Sequence, residues 1–174
     1  MKSINCKGKL IDLSTPKIMG ILNLTPDSFY DGGKLTSDKD IVLQAEKMIS
    51  DGATFLDLGG YSSRPGAKFV SEEEEMKRVL PIVSLILKEF PETLLSIDTF
   101  RSNIAKQCIE KGAALINDIS AGNMDVKMFE TITSLQVPYI MMHMKGNPET
   151  MMQNTEYKDI IKDLLFYFSD KIAE

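Results

Sequence analysis

Five short apolar runs, each closing on a polar residue and each followed by a stretch with helical spacing, constrain this chain more than any other feature. The runs are "KIMGILNLT" at 17–25, "TFLDLGG" at 54–60, "LLSIDT" at 94–99, "ALINDIS" at 114–120 and "PYIMMHM" at 138–144. Each is too short for a helix and rich enough in Ile, Leu and Met for a buried strand. Between and after them, apolar residues recur at helical intervals. Ile41, Ala45, Met48 and Ile49 form one stripe, stopped by Gly52. Met76, Val79, Leu80, Val83 and Leu87 form a second, and Ile104, Cys108 and Ile109 a third that ends at Gly112. Phe129 and Ile132 mark a short fourth, and Ile161, Leu164, Leu165, Phe168 and Ile172 a fifth. The acidic run "SEEEE" at 71–75 opens the second helix: Ser71 and Glu74 read as a capping box, and the other glutamates suit the positive end of the helix dipole.

Strand-helix alternation requires parallel strands covered by helices. An open nucleotide-binding sheet often carries a glycine-rich G-x-G-x-x-G or G-x-x-x-x-G-K-[ST] turn after its first strand, and neither occurs here. Polar residues instead mark the end of every strand: Asn23, Asp57, Asp98, Asn117 with Asp118, and His143. In a (β/α)8 barrel those ends converge on one site. The expected fold is therefore α/β, a TIM-type barrel. A full barrel needs eight units and about 250 residues, whereas the 174 residues supply five. The expectation is a truncated barrel over 1–174, lacking three C-terminal units. "INCKGKLIDLS" reads as an N-terminal β-hairpin closing the barrel floor.

The bulk composition narrows the function. A net charge of -5 without a basic stripe argues against nucleic acid, while a small phosphorylated ligand needs only local groups. Cys6 and Cys108 form no metal or C-x-x-C pattern and read as reduced thiols. No run approaches the roughly 20 apolar residues of a membrane span, and the N-terminus lacks a signal-peptide core. A cytoplasmic protein is expected.

The chemistry is concentrated after the strands. The first strand is followed by a long polar loop holding Thr25, Asp27, Ser28 and Asp31; the second runs into "GGYSSRPGA", which carries Ser62, Ser63 and Arg64 between glycines and Pro65. Asp98 and Asn117 lie at the ends of apolar strands, where a buried carboxylate is costly unless hydrogen-bonded. Together they could read a flat ring with N–H and C=N edges, the carboxylate accepting and the amide both donating and accepting. Capping of the next helix is the structural alternative for Asp98. His143, the sole histidine, lacks partners for a His/Cys metal site and reads as structural. The eleven methionines, five of them between 141 and 152, read mainly as core filler.

In order, "MGILNLTPDSFYDGG", "DLGGYSSRPGA", "SIDTFR", "INDIS" and "MHMKGNPETMMQ" closely resemble dihydropteroate synthases. The resemblance spans the whole chain but only the first five of eight units. It implies condensation of 6-hydroxymethyl-7,8-dihydropterin pyrophosphate with 4-aminobenzoate, release of pyrophosphate, folate biosynthesis, and competition by sulfonamides. It implies Mg2+ held at Asn23, a pterin ring hydrogen-bonded by Asp98 and Asn117, and an aminobenzoate pocket around Phe29, Ser63 and Pro65. Asp31 and Arg64 match charged members of two mobile loops that act in catalysis by meeting over the reacting carbon and excluding water. The implied reaction is dissociative: pyrophosphate leaves, and the aromatic amine captures the pterin-methyl cation.

Tyr61 stands where many relatives have glutamate, and Ser63 where threonine is common. Later strands of the family bring an aspartate, a lysine and an Arg-x-His pair that have no counterpart here, so the chain by itself is expected to be inactive or nearly so. The full-length form is expected to be a homodimer, with no nucleic acid or membrane partner. Two other readings share parts of the pattern: a pterin-binding methyltransferase domain, and a non-catalytic pterin-binding partial barrel.

Overall fold

The computed structural model describes residues 2–24, 37–62 and 69–174. The chain opens with an antiparallel hairpin of β1 (Ser3–Cys6) and β2 (Lys9–Asp12). Its two-residue loop puts Lys7 at φ 54° and Gly8 at φ 79°, the left-handed conformations that match the twist of the flanking strands. Five parallel strands follow: β3 (Met19–Asn23), β4 (Phe55–Gly59), β5 (Leu94–Asp98), β6 (Leu115–Asp118) and β7 (Tyr139–Met141). They pair in chain order, β3-β4-β5-β6-β7. A doubly wound sheet reverses direction at a switch point; this one never does, which is the winding of a barrel. The expected five β/α units and N-terminal hairpin are thus both present.

Helices α1 (Asp38–Ser50), α2 (Glu72–Glu89), α3 (Ser102–Glu110), α4 (Met128–Leu135) and α5 (Ile160–Ala173) follow the strands, and a 3-10 turn at Met151–Gln153 precedes α5. Alternation along each strand divides the sheet into two faces. Leu22, Leu56, Leu58, Leu95, Ile97 and Ile116 pack outward against Ala45, Val79, Val83, Ile86, Ile104 and Met128 of the helices. Full burial of each such side chain is worth about 1.5–3 kcal/mol. On the inner face, Phe55, Leu94 and Leu115 join Cys6, with Ile4, Ile11 and Met19 packed alongside. The hairpin therefore plugs the N-terminal end of the inner face, as expected of a barrel floor.

Two sequence expectations need revision. On α2 the Ser71 hydroxyl does accept from Glu74 N–H at 3.2 Å, but the Glu74 carboxylate accepts from Arg78 Nε at 3.1 Å, leaving only half of the capping box. Glu75 is fully buried rather than a solvated dipole partner, and the buried stripe runs through Glu75, Val79, Ile82, Val83 and Ile86. On α5 the apolar spacing is real but largely uncovered: Ile161, Leu165 and Ile172 are exposed, with Leu164 and Phe168 half-buried.

Among the described residues β3 pairs only with β4, and β7 only with β6. The inner-face side chains of these edge strands, Ile21 and Ile140, are 62% and 41% exposed. Unpaired edges flanked by bare apolar side chains template association. Light scattering over a concentration series is expected to show self-association of the 174-residue chain. A monodisperse monomer throughout would remove that expectation.

Candidate functional site

Register places three of the predicted residues in one line. Asn23 pairs with Gly59, Gly59 with Asp98, Asp98 with Asn117, and Asn117 with Ile140. This row crosses the sheet at the C-terminal ends of its strands. Gly59 keeps it open: a Cβ there would lie 3.3 Å from Asp98 Oδ2 and 3.8 Å from Asn23 Oδ1. The gap between an amide oxygen and a carboxylate is thus held by a residue without a side chain.

One row deeper lie Ile21, Asp57, Ser96 and Leu115. Asp57 is 4% exposed, and its Oδ2 accepts from Asn117 Nδ2 at 3.0 Å. Burial raises its pKa, while Ser96 and then Asn117 pull it back down. Ser96 is the register neighbour of Asp57 on β5, and among the described residues neither Asp57 Oδ1 nor Ser96 Oγ has a hydrogen-bond partner of good geometry. Asp98 is pushed up to about 7 by burial first, then by the carboxylates of Asp57, Glu75 and Asp118. Its environment is one of accumulated negative charge, suited to accepting from a ligand's N–H groups.

Asp98 does not cap the next helix. Thr99 Oγ1 accepts from Arg101 N–H at 3.2 Å, and Asp125 Oδ2 accepts from Ser102 N–H at 2.7 Å. Asp118, adjacent to Asn117, faces the other way. It is fully buried and accepts from Ser120 N–H, Ser120 Oγ, Gly122 N–H and the Tyr139 hydroxyl at 2.6–2.9 Å. Of that polar pair Asn117 serves the inner face and Asp118 fastens a turn. His143 lies with its ring centroid 4.7 Å from that of Tyr167 and 5.8 Å from that of Tyr157, in keeping with a structural residue.

Sequence reasoning missed a second buried network. Glu75 on α2 accepts from Thr99 Oγ1 at 2.8 Å and from Arg101 Nη1. Arg101 Nη2 donates to the Val70 carbonyl at 2.6 Å, and the guanidinium lies 5.0–5.9 Å from the ring centres of Phe100, Tyr61 and Phe69. Arg78 Nη1 donates to the Gly60 carbonyl at 3.3 Å. Gly60 packs so closely on α2 that a Cβ would stand 2.5 Å from Val79 Cγ2. Residues flanking 63–68 on both sides are therefore tied to α2 and to the β5–α3 junction. The available signal was "TFR" directly after a strand, an arginine where solvent exposure had no reason to place one.

The remaining predicted site residues, Phe29, Asp31, Ser63, Arg64 and Pro65, lie outside the described residues, as do Thr25, Asp27 and Ser28. Asp57, noted in the sequence only as a strand-end polar residue, is the inner-face group to which no role was given. Among the described residues no group of three His, Cys, Asp or Glu is placed to hold a metal. An Mg2+ ion bound chiefly by phosphate and water needs only one or two protein oxygens. The Asn23 amide oxygen beside the Gly59 gap fits that requirement.

Two outcomes follow from these geometries. Arg101→Met strips the buried Glu75 carboxyl of its counter-ion and is expected to cost about 3–5 kcal/mol in urea unfolding; Glu75→Met with Arg101→Met is expected to recover most of the loss. For Asp98, the folded state holds its proton up to about pH 7, while the unfolded state releases it near pH 4. The folded chain thus binds more protons between those limits, and stability falls as pH rises through them. Asp98→Asn is expected to stabilise the chain at pH 8, by up to about 4 kcal/mol, with the gap closing below pH 4. An unchanged urea midpoint at pH 8 would contradict the burial assigned to this carboxylate.

The family model described as "Pterin binding enzyme" matches residues 19–174. Dihydropteroate synthase of Escherichia coli K12 is 43% identical over 167 residues, covering 96% of this chain and 58% of the relative. The mitochondrial folate synthesis bifunctional protein of Pisum sativum is 45% identical over 161 residues, covering 90% of this chain and 31% of the relative. The crystal structure of Yersinia pestis dihydropteroate synthase with a sulfonamide drug complex superposes with a TM-score of 0.91 at 38% identity, over 98% of this chain and 62% of that one. The Xanthomonas albilineans enzyme with 4-aminobenzoic acid gives a TM-score of 0.84 at 33% identity, over 98% of this chain and 60% of that one. The chain thus spans less than two thirds of the length of these relatives. By the match over residues 19–174, and by a fold shared with dihydropteroate synthases, the chain belongs to the pterin-binding enzyme family.

Proposed function

We propose that this chain carries the pterin-binding half of a dihydropteroate synthase site, in which 6-hydroxymethyl-7,8-dihydropterin pyrophosphate condenses with 4-aminobenzoate in folate biosynthesis. The observation that carries the reading is the row Asn23, Gly59, Asp98, Asn117 at the strand ends. It is supported by relatives solved with 4-aminobenzoic acid and with a sulfonamide drug. Asp98 accepts from ring N–H groups, and the Asn117 amide pairs with a neighbouring donor–acceptor edge. Asp98 and Asn117 are part-buried on the inner face, where the lowered local dielectric strengthens these bonds. Asn23 would hold Mg2+, which when bound neutralises charge on the leaving pyrophosphate. Asp31, Arg64, Phe29, Ser63 and Pro65 are assigned to the second substrate and to the exclusion of water around the reacting carbon.

The reaction asks mainly for two substrates in line, and no activated nucleophile is needed on the protein. Two free, buried cysteines suit a reducing compartment, and a cytoplasmic location is part of the proposal. Among the described residues no helix is long and apolar enough to cross a membrane.

The test joins this chain to the C-terminal portion of the Escherichia coli relative that it does not span, and assays dihydropteroate formation with Mg2+. Turnover by the fusion is expected, with the chain alone slower by orders of magnitude. Asp98→Ala should weaken pterin binding by about tenfold or more. A folded fusion that binds methyltetrahydrofolate but ignores 4-aminobenzoate would transfer the reading to the methyltransferases.

A further inference from the structure

The geometry points to Asp57 as the residue that fixes which way round the Asn117 amide is presented to a ligand. An asparagine side chain can rotate by half a turn with almost no change of shape, exchanging its carbonyl and its NH2 group. At Asn117 the exchange is opposed from below whenever Asp57 is ionised. Asp57 Oδ2 lies 3.0 Å from Asn117 Nδ2, and an ionised carboxylate only accepts. The flipped amide would set its carbonyl oxygen against that carboxylate oxygen, losing a charge-assisted bond and replacing it with repulsion. Asp57 is itself held, at 4% exposure, in the interior of β4 between Ile21 and Ser96. One N–H of Asn117 is thereby spent on Asp57, and one N–H and the carbonyl are left for the inner face.

With Asp98 as its register neighbour, the row offers a fixed order of acceptor and donor groups. A ring with the complementary order is retained, and one with its edge reversed meets two like groups. Asp57 is accordingly a positioning and specificity residue that acts through Asn117. This deepens the pterin reading and rests on it only for the identity of the ring.

The experiment uses the 174-residue chain, labelled with 15N, at pH 8. The side-chain amide pair of Asn117 is identified by its loss in Asn117→Ala. In the parent chain one of its protons should be shifted well downfield, and in Asp57→Ala the pair should move towards free-asparagine positions. Asp57→Asn, which keeps the volume and one acceptor, should lie between, and serves if the alanine variant does not fold. Binding of 6-hydroxymethylpterin should weaken about tenfold or more in Asp57→Ala. The double variant with Asn117→Ala should bind no worse than Asn117→Ala alone. An amide pair unmoved by either substitution, or additive losses in the cycle, would overturn the assignment. Pterin affinity is read on the fusion with the C-terminal portion of the relative; a folded fusion with no pterin affinity would refute the pterin reading, and the amide spectrum of the chain would still decide the role of Asp57.

Discussion

Register is the constraint on which everything else in this molecule depends. The sheet must satisfy two different surroundings, a helical layer on its outer face and a polar inner face, and adjacent residues on every strand belong to opposite faces. A slip of one residue on β5 would carry Asp98 and Ser96 into the contact with α2 and α3, and Ile97 onto the inner face. The apolar residues that hold the helices therefore also aim the polar ones. Leu22, Leu56, Leu58, Leu95, Ile97 and Ile116 lock the phase in which Asn23, Asp57, Asp98 and Asn117 face inward.

That inward phase concentrates charge in a way an ordinary core avoids. Asp57 and Asp98 lie in neighbouring rows, and Asp98 also feels Glu75 and Asp118. Among the described residues only Glu75 has a buried cation for company, and Arg101 is turned towards residues 69–70. Such an arrangement costs folding free energy and persists where a ligand uses it. The inner face is thus a surface whose donors and acceptors are set before anything binds.

The architecture could be read from the chain because strand and helix periods are written repeatedly in it. Five apolar runs with polar ends foretold both the parallel sheet and the line of Asn23, Asp98 and Asn117. Two kinds of feature escaped. Glu75 and Arg101 are 26 residues apart, and neither helical nor strand spacing links them; only tertiary packing turns a first-turn glutamate, expected to serve the helix dipole, into half of a buried ion pair. Asp57 was visible in "FLDLG", yet its partner is 60 residues away, and a lone sequence does not connect them. The α5 stripe is the opposite case, since periodicity announces a face and leaves open what covers it.

Arg101 has a consequence beyond packing. By holding the Val70 carbonyl and bordering both Tyr61 and Phe69, it anchors the chain on either side of 63–68 through groups outside that stretch. Anchored ends separate where a loop begins and returns from what the loop contains, and added length between fixed ends costs little closure entropy. The moorings themselves are made by Tyr61, Phe69, Val70, Glu75 and Arg101, all outside residues 63–68. The row of Asn23, Gly59, Asp98 and Asn117 is thus framed by contacts that belong to α2 and the β5–α3 junction, a division of labour between frame and rim.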